Sequence, residues 1–259
     1  MPSALLERHL ARGCQPVCYA VNSFKERQVR LLHVPLLTTA VRSLILSNMV
    51  TFDSASRVEA QRSASQDMVV VLQHEGVVVA VVADGAGGTS GGAEAASCVI
   101  RRVSEAVEAG SDLLGRSTWE QVLRALDAEL DGLGQTTAVV AATDGSVIVG
   151  ASVGDSGALL VTMSSVRELS ADQHRKPLLG SGAATPVTFR GPAAPNALLL
   201  LATDGLLKYA SEDRICAQLR RPEPSLKEHC DALVELVRLP RGGLQDDVGL
   251  VLIGAAPRP

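Results

Sequence analysis

The sequence predicts an α+β domain built on mainly antiparallel strands, and three observations carry that prediction. Apolar runs of strand length far outnumber helical segments that could serve as crossovers, so a doubly wound parallel sheet is excluded. Several of those runs are joined by stretches too short for any crossover: Gln73-His74-Glu75-Gly76, Thr143-Asp144-Gly145 and Gly154-Asp155-Ser156. Hydrophobic residues make up 46% of the chain but aromatics only 2%, so the core must be built from Val, Leu, Ile and Ala.

Each element follows from its local pattern. Leu36, Leu37, Ala40, Val41, Leu44 and Ile45 keep a helical period, which predicts one amphipathic helix ahead of the first strand-like segment after Met49. Residues 67–73 and 77–83 read as two apolar strands of a hairpin. Residues 92–109, with Ala93, Ala96, Val99, Ile100, Val103 and Val107 on one side, read as a helix, as do residues 117–131 with Val122, Leu123, Leu126 and Leu130. Strands are then expected at 136–143, 146–153 and 157–163, with a meander as the simplest topology. A polar stretch from 170 to 196 leads to a strand at 197–203, helices at 211–220 and 225–238, and a last strand at 247–253.

The expected organisation is an N-terminal extension over residues 1–48, a catalytic domain over 49–255 and a tail at 256–259. The extension reads either as a segment packed on the surface or as the product of a start codon placed too early, Met49 being the alternative. A formal net charge of −4 offers no electrostatic case for nucleic acid or an anionic membrane, and so few aromatics provide no stacking platform for bases. Five cysteines, an odd number without paired spacing, read as reduced thiols. Cys14 and Cys18 lack a second Cys or His pair at zinc-finger spacing. The N-terminus lacks the ordered blocks of a signal peptide, and no run approaches the ~20 apolar residues of a membrane span. A cytoplasmic monomer is the default expectation.

The chemistry concentrates at strand ends. Asp84-Gly85-Ala86-Gly87-Gly88 directly follows the run VVVAVVA at 77–83. A carboxylate at the end of a buried strand, followed by glycines that let the backbone approach a ligand, can seat a hard cation, although a plain glycine-rich turn gives the same pattern. Two further strand ends carry acids: Thr203-Asp204-Gly205 after NALLLL, and Gln245-Asp246-Asp247 before VGLVLI. Three carboxylates delivered by three strand ends can converge on one site. Asp204 also fits a helix N-cap ahead of Leu206, and Asp155 fits a turn residue. A nucleotide-phosphate loop is disfavoured, because no Gly-Lys-Ser/Thr follows the glycines and Asp84 would repel phosphate.

Taken in order, Arg62 with Gln66-Asp67, Asp84 to Gly88, Gly134-Gln135-Thr136-Thr137-Ala138, Val153-Gly154-Asp155-Ser156, Leu169 to Gln173, Ala202-Thr203-Asp204-Gly205-Leu206 and Asp246-Asp247 resemble the metal-dependent protein serine/threonine phosphatases, the type 2C or PPM family. The resemblance spans residues 50–254. It implies a four-layer α/β/β/α sandwich of two mainly antiparallel sheets flanked by helices, with metals at one end. It implies two Mn²⁺ or Mg²⁺ ions, Asp84 bridging both, the Gly85 carbonyl on one, and Asp204 and Asp246 on the other. Asp67 would bind a metal or hold a metal-bound water, Arg62 would contact the substrate phosphate, and Asp155 would take a third ion. Thr136 and Thr137 are expected to support the fold. The implied activity is hydrolysis of phosphoserine or phosphothreonine in proteins, with phosphoproteins, those of a serine/threonine kinase among them, as partners. The alternative is a weakly active or non-catalytic regulatory or binding module of the same fold. The chain departs from the pattern at Gln66, at Gly157 in place of an arginine, at Gly249 in place of Thr or Ser, and at Ala86 where some members carry a histidine. These departures bear on efficiency more than on the metal site.

Overall fold

The computed structural model describes residues 51–86 and 91–256. The expected helix near 36–48, Cys14 and Cys18, and the Gly87-Gly88 part of the glycine-rich turn lie outside them. Strands β1 (Phe52–Glu59), β2 (Asp67–His74) and β3 (Val77–Asp84) precede helices α1 (Gly92–Glu108) and α2 (Thr118–Glu129). Strands β4 (Ala138–Thr143), β5 (Val147–Val153), β6 (Gly157–Val161), β7 (Val166–Glu168), β8 (Val187–Pro192) and β9 (Leu198–Ala202) follow. Helices α3 (Asp204–Leu207), α4 (Glu212–Leu219) and α5 (Leu226–Glu235) lead to β10 (Val248–Ala255).

The strands form two five-stranded sheets, one in the order β1-β10-β9-β6-β7 and the other β2-β3-β4-β5-β8. Every pairing within them is antiparallel. The continuous apolar run of β3 is explained by burial on both faces. Val79, Val81 and Ala83 pack with Ala95, Val99 and Val103 of α1 and Leu123 and Leu126 of α2. Val78, Ala80 and Val82 point the other way, against Leu160, Leu199, Leu201, Val251 and Ile253 of the second sheet. On that sheet's outer face Leu200, Leu250 and Leu252 pack with Leu206, Ile215, Leu219, Leu233 and Val234 of α3, α4 and α5. The layer order is therefore helices, sheet, sheet, helices, as the family resemblance implied.

Two features differ from the sequence reading. The three strands from 138 to 161 are not a meander: β4 pairs with β5, but the Gly154-Asp155-Ser156 turn carries the chain across to the other sheet, where β6 lies between β9 and β7. Two short strands, β7 and β8, lie where none was expected; both are edge strands, β8 alternates between half-buried and exposed residues and ends on Pro192, so neither carries an apolar run. Among the described residues no helix is long and apolar enough to cross a membrane.

Candidate active site

Antiparallel pairing brings the acidic strand ends to one end of the sandwich. Asp67 opens β2 and Asp84 closes β3, and the two stand opposite each other in register, so their side chains share a face. In the other sheet Ala202 of β9 pairs with Leu250 of β10, which places Thr203-Asp204 beside Asp246-Asp247 and Gly249. The sheets meet at Asp67: Thr203 Oγ1 donates to Asp67 Oδ2 at 2.8 Å while accepting from the Gly249 amide at 2.9 Å. A Cβ on Gly249 would stand 3.2 Å from Asp67 Cβ and Oδ2. The missing side chain at Gly249 thus leaves room for the Asp67 carboxylate, and Thr203 supplies the hydroxyl that meets it.

Asp84 is fixed through its backbone. Its amide donates to Thr137 Oγ1 at 3.0 Å, and its carbonyl accepts from Thr136 Oγ1 at 2.8 Å and the Thr137 amide at 2.9 Å. Thr137 Oγ1 in turn lies 2.6 Å from Ser156 Oγ. Both threonines serve the fold, leaving the Asp84 carboxylate free of these ties. Gly85 donates its amide to the Gln66 carbonyl at 3.2 Å, and a Cβ there would overlap the backbone of Gly92. No larger residue fits that position without moving the start of α1.

The electrostatics are those of crowded like charges. Asp67 is only 3% exposed. Burial pushes its carboxyl up, and so do the charges of Asp247 and Asp246, against the hydrogen bond from Thr203. Asp84 is pushed up by burial first, then by Asp67, Asp204, Asp246 and Asp155. Burial raises Asp204 as well, joined by Asp155 and Asp246, while Lys208 at 3.5 Å opposes the rise. Six carboxylates, Asp67, Asp84, Asp155, Asp204, Asp246 and Asp247, therefore share one field. Among the described residues, however, no three Asp, Glu, His or Cys side chains are drawn together as a ready-made metal cage. The donor set fits a hard divalent ion: it is all oxygen, and its excess negative charge is what a dication would neutralise.

The remaining predicted residues fall in distinct places. Asp246, half-buried, precedes β10 and acts on the other acids through its charge. Arg62 sits in the exposed loop between β1 and β2. Asp155 is in the turn between the sheets, but its Oδ2 accepts from Arg175 Nε at 3.0 Å and Nη2 at 2.7 Å. A cation of the chain itself thus occupies the carboxylate expected to take a third ion. Asp204 is the first residue of α3, with Thr203 at the cap position and no side-chain capping bond, so the alternative of an N-capping Asp204 is not realised. Gly157 packs against Leu207 and Ser170, and an arginine there would have to displace both. Sequence reasoning missed Thr203, Asp247 and Arg175 as partners of the acids. The Asp-Asp doublet and the Thr before Asp204 were the available signals.

A family model described as Stage II sporulation protein E (SpoIIE) matches residues 74–255. No curated protein matches the sequence significantly. Among solved structures, the S. agalactiae serine/threonine phosphatase superposes with a TM-score of 0.67 at 19% identity, over 80% of this chain and 100% of that one. The catalytic domain of serine threonine protein phosphatase PstP, in complex with two manganese ions, gives 0.61 at 20% identity, over 80% and 99%. RsbX in complex with magnesium gives 0.64 at 16% identity, over 79% and 96%. At these identities the structures show a shared fold, and the match to the family model extends over most of the chain. The chain belongs to the SpoIIE family, and its fold is that of the type 2C or PPM phosphatases.

Proposed function

We propose that this chain is a divalent-metal-dependent phosphatase that hydrolyses phosphoserine or phosphothreonine in proteins. The observation that carries the reading is the gathering of Asp67, Asp84, Asp204 and Asp246 at one end of the sandwich, where burial and the neighbouring acidic charges raise the proton affinity of Asp67, Asp84 and Asp204. Such a group is costly to hold unless a cation binds it. Two Mn²⁺ or Mg²⁺ ions held by Asp67, Asp84, the Gly85 carbonyl, Asp204 and Asp246 would supply an activated water and neutralise phosphoryl charge. PstP with manganese and RsbX with magnesium support that choice of ion.

The chain's own residues then have separable tasks. Thr203 holds one oxygen of Asp67 and turns the other toward the site. Thr136 and Thr137 fix the backbone from which Asp84 projects. Arg62 grips two phosphoryl oxygens with its planar donors. A third ion at Asp155 would first have to displace Arg175. Because Ala86 offers no acid, the leaving serine or threonine oxygen takes its proton from water. None of the four acids is lost, which favours an enzyme over a regulatory module of the same fold.

The test is hydrolysis of a phosphothreonine peptide by the full chain with Mn²⁺, with EDTA, and with Mn²⁺ restored. Asp204→Asn keeps the size of the side chain and removes the charge, and should abolish turnover while the fold survives. Wild type with no turnover at saturating Mn²⁺ or Mg²⁺, or an Asp204→Asn variant as active as wild type, would falsify this reading and favour the regulatory module.

A further inference from the structure

The loop that carries Arg62 is held at both ends by one carboxylate. The Gln61 amide donates to Asp247 Oδ1 at 2.7 Å, and the Gln66 amide donates to Asp247 Oδ2 at 2.7 Å. A further tie runs from Gln61 Nε2 to the Gln245 carbonyl at 2.7 Å. Asp247 is itself fixed. Its amide donates to Asp246 Oδ1 at 3.1 Å, and its carbonyl is pressed so closely on Gly205 that a Cβ there would overlap it. Arg62, by contrast, is exposed and makes no hydrogen bond or ion pair among the described residues. Its guanidinium is therefore placed by the loop backbone alone.

We propose that Asp247 is a positioning residue: by clamping both ends of loop 61–66 it holds Arg62 at the phosphoryl group of the substrate. The proposal rests on the phosphatase reading above. A carboxylate is needed because it offers two acceptor oxygens to two backbone donors, whereas an asparagine would turn an NH₂ toward one of them. A released loop must be ordered each time an anion binds, and that cost appears as lost affinity. Through Gly205 and Asp246, the same residue ties the loop to the acids of the other sheet.

The sign of the effect separates positioning from simple electrostatics. Asp247→Asn removes a negative charge near an anion site, so a role through charge alone would tighten phosphate binding; a released Arg62 would weaken it. Calorimetric titration of inorganic phosphate into the full chain, saturated with Mg²⁺, reads this directly. Asp247→Asn should weaken phosphate by about tenfold, close to the lower end of what a charge-assisted contact contributes. In an Arg62→Ala background the same change should have no further effect. Phosphate bound as tightly by Asp247→Asn as by wild type, or weakened equally with and without Arg62, overturns the proposal. Should Asp247→Asn fail to fold, Gln61→Ala releases the side-chain tie from Gln61 to the Gln245 carbonyl and should give a smaller weakening that also requires Arg62; an effect independent of Arg62 overturns it. If phosphate binding behaves as expected while phosphothreonine peptide is not turned over, Asp247 keeps its role and the phosphatase reading fails.

Discussion

Asp67 and Asp84 face each other directly across the β2–β3 hairpin, two acids in one register pair on one face of the sheet. Like charges so placed repel, and burial removes the water that would screen them. The fold tolerates the arrangement because Thr203 and a dense set of backbone ties fix both residues. Asp84→Asn relieves the repulsion. In EDTA this variant should be more stable than wild type by about 1 kcal/mol, the scale of an opposed cross-strand charge pair. Adding Mn²⁺ should raise the melting temperature of wild type and leave the variant nearly unmoved. Thermal melts of both proteins under both conditions decide the point; a variant no more stable than wild type in EDTA would mean that the two acids do not oppose each other.

Arg175 and Asp155 give a second prediction. Arg175 is 72% exposed, so its ion pair contributes little to stability, and Arg175→Ala should change unfolding free energy by less than about 0.5 kcal/mol. Its effect belongs to ion binding. With the guanidinium gone, Asp155 adds its full charge to the field around Asp204 and Asp84. Half-maximal activity should then need less Mn²⁺. Titration of the metal against turnover checks this, and an unchanged or higher requirement would show that Arg175 does not compete with an ion.

The gathering of the acids was legible because each stands where a strand begins or ends, and the runs before Asp84 and Asp204 and after Asp247 are unmistakably apolar. The same logic located β2, β3, β9 and β10. The switch between sheets was not legible, since Gly154-Asp155-Ser156 has the composition of a hairpin turn whichever sheet receives the next strand. Strands β7 and β8 were missed because edge strands need no continuous apolar pattern. Thr203, Asp247 and Arg175 act through partners more than 20 residues away or through an ion pair in a polar stretch, and such pairings have no local signature. Asp127 did leave one. It falls four residues after Leu123 on the apolar stripe of α2, where an acid is out of place unless it is bound.

The structure shows what binds it. Asp127 Oδ1 accepts from the amides of Gly180, Ser181 and Gly182 at 2.8, 3.1 and 3.2 Å, and Oδ2 accepts from the amide of Ala184 at 3.0 Å. The segment so gathered directly follows Leu179, whose backbone exchanges two hydrogen bonds with Thr136 beside Asp84. Asp127→Asn loses the charge and sets an NH₂ against at least one backbone donor. The expected cost is roughly 1.5–3 kcal/mol, the range for hydrogen bonds to a charged group. Urea unfolding should show the midpoint falling with an unchanged slope; a loss below about 0.5 kcal/mol would mean that solvent satisfies the loop amides as well as Asp127 does.

His229 supplies a dependence on pH that is independent of the active site. It lies on α5, is 7% exposed, and its Nδ1 is buried without a hydrogen-bond partner. Burial lowers its proton affinity below the usual 6.5, outweighing the pull of Glu223 and Glu228 in the other direction. At pH 7.5 the imidazole is largely uncharged in both folded and unfolded chains and contributes little pH dependence. As pH falls below 6.5 the unfolded chain takes up the proton first, so stability is lost progressively until the folded protein also protonates. Carboxylates lowered by ion pairs, such as Glu59, Glu105 and Glu129, act only below about 4.5, which leaves the interval from 6.5 to 5 to this residue and to the raised acids of the active site. Those acids shift stability the opposite way when metal is absent, but they are common to wild type and a His229→Leu variant and cancel in the difference. His229→Leu should therefore gain on wild type steadily as pH is lowered across that interval, with turnover at pH 7.5 unchanged. Unfolding free energies of the two proteins at pH 7.5, 6 and 5 measure the gain, and parallel curves would show that His229 protonates as readily in the fold as outside it.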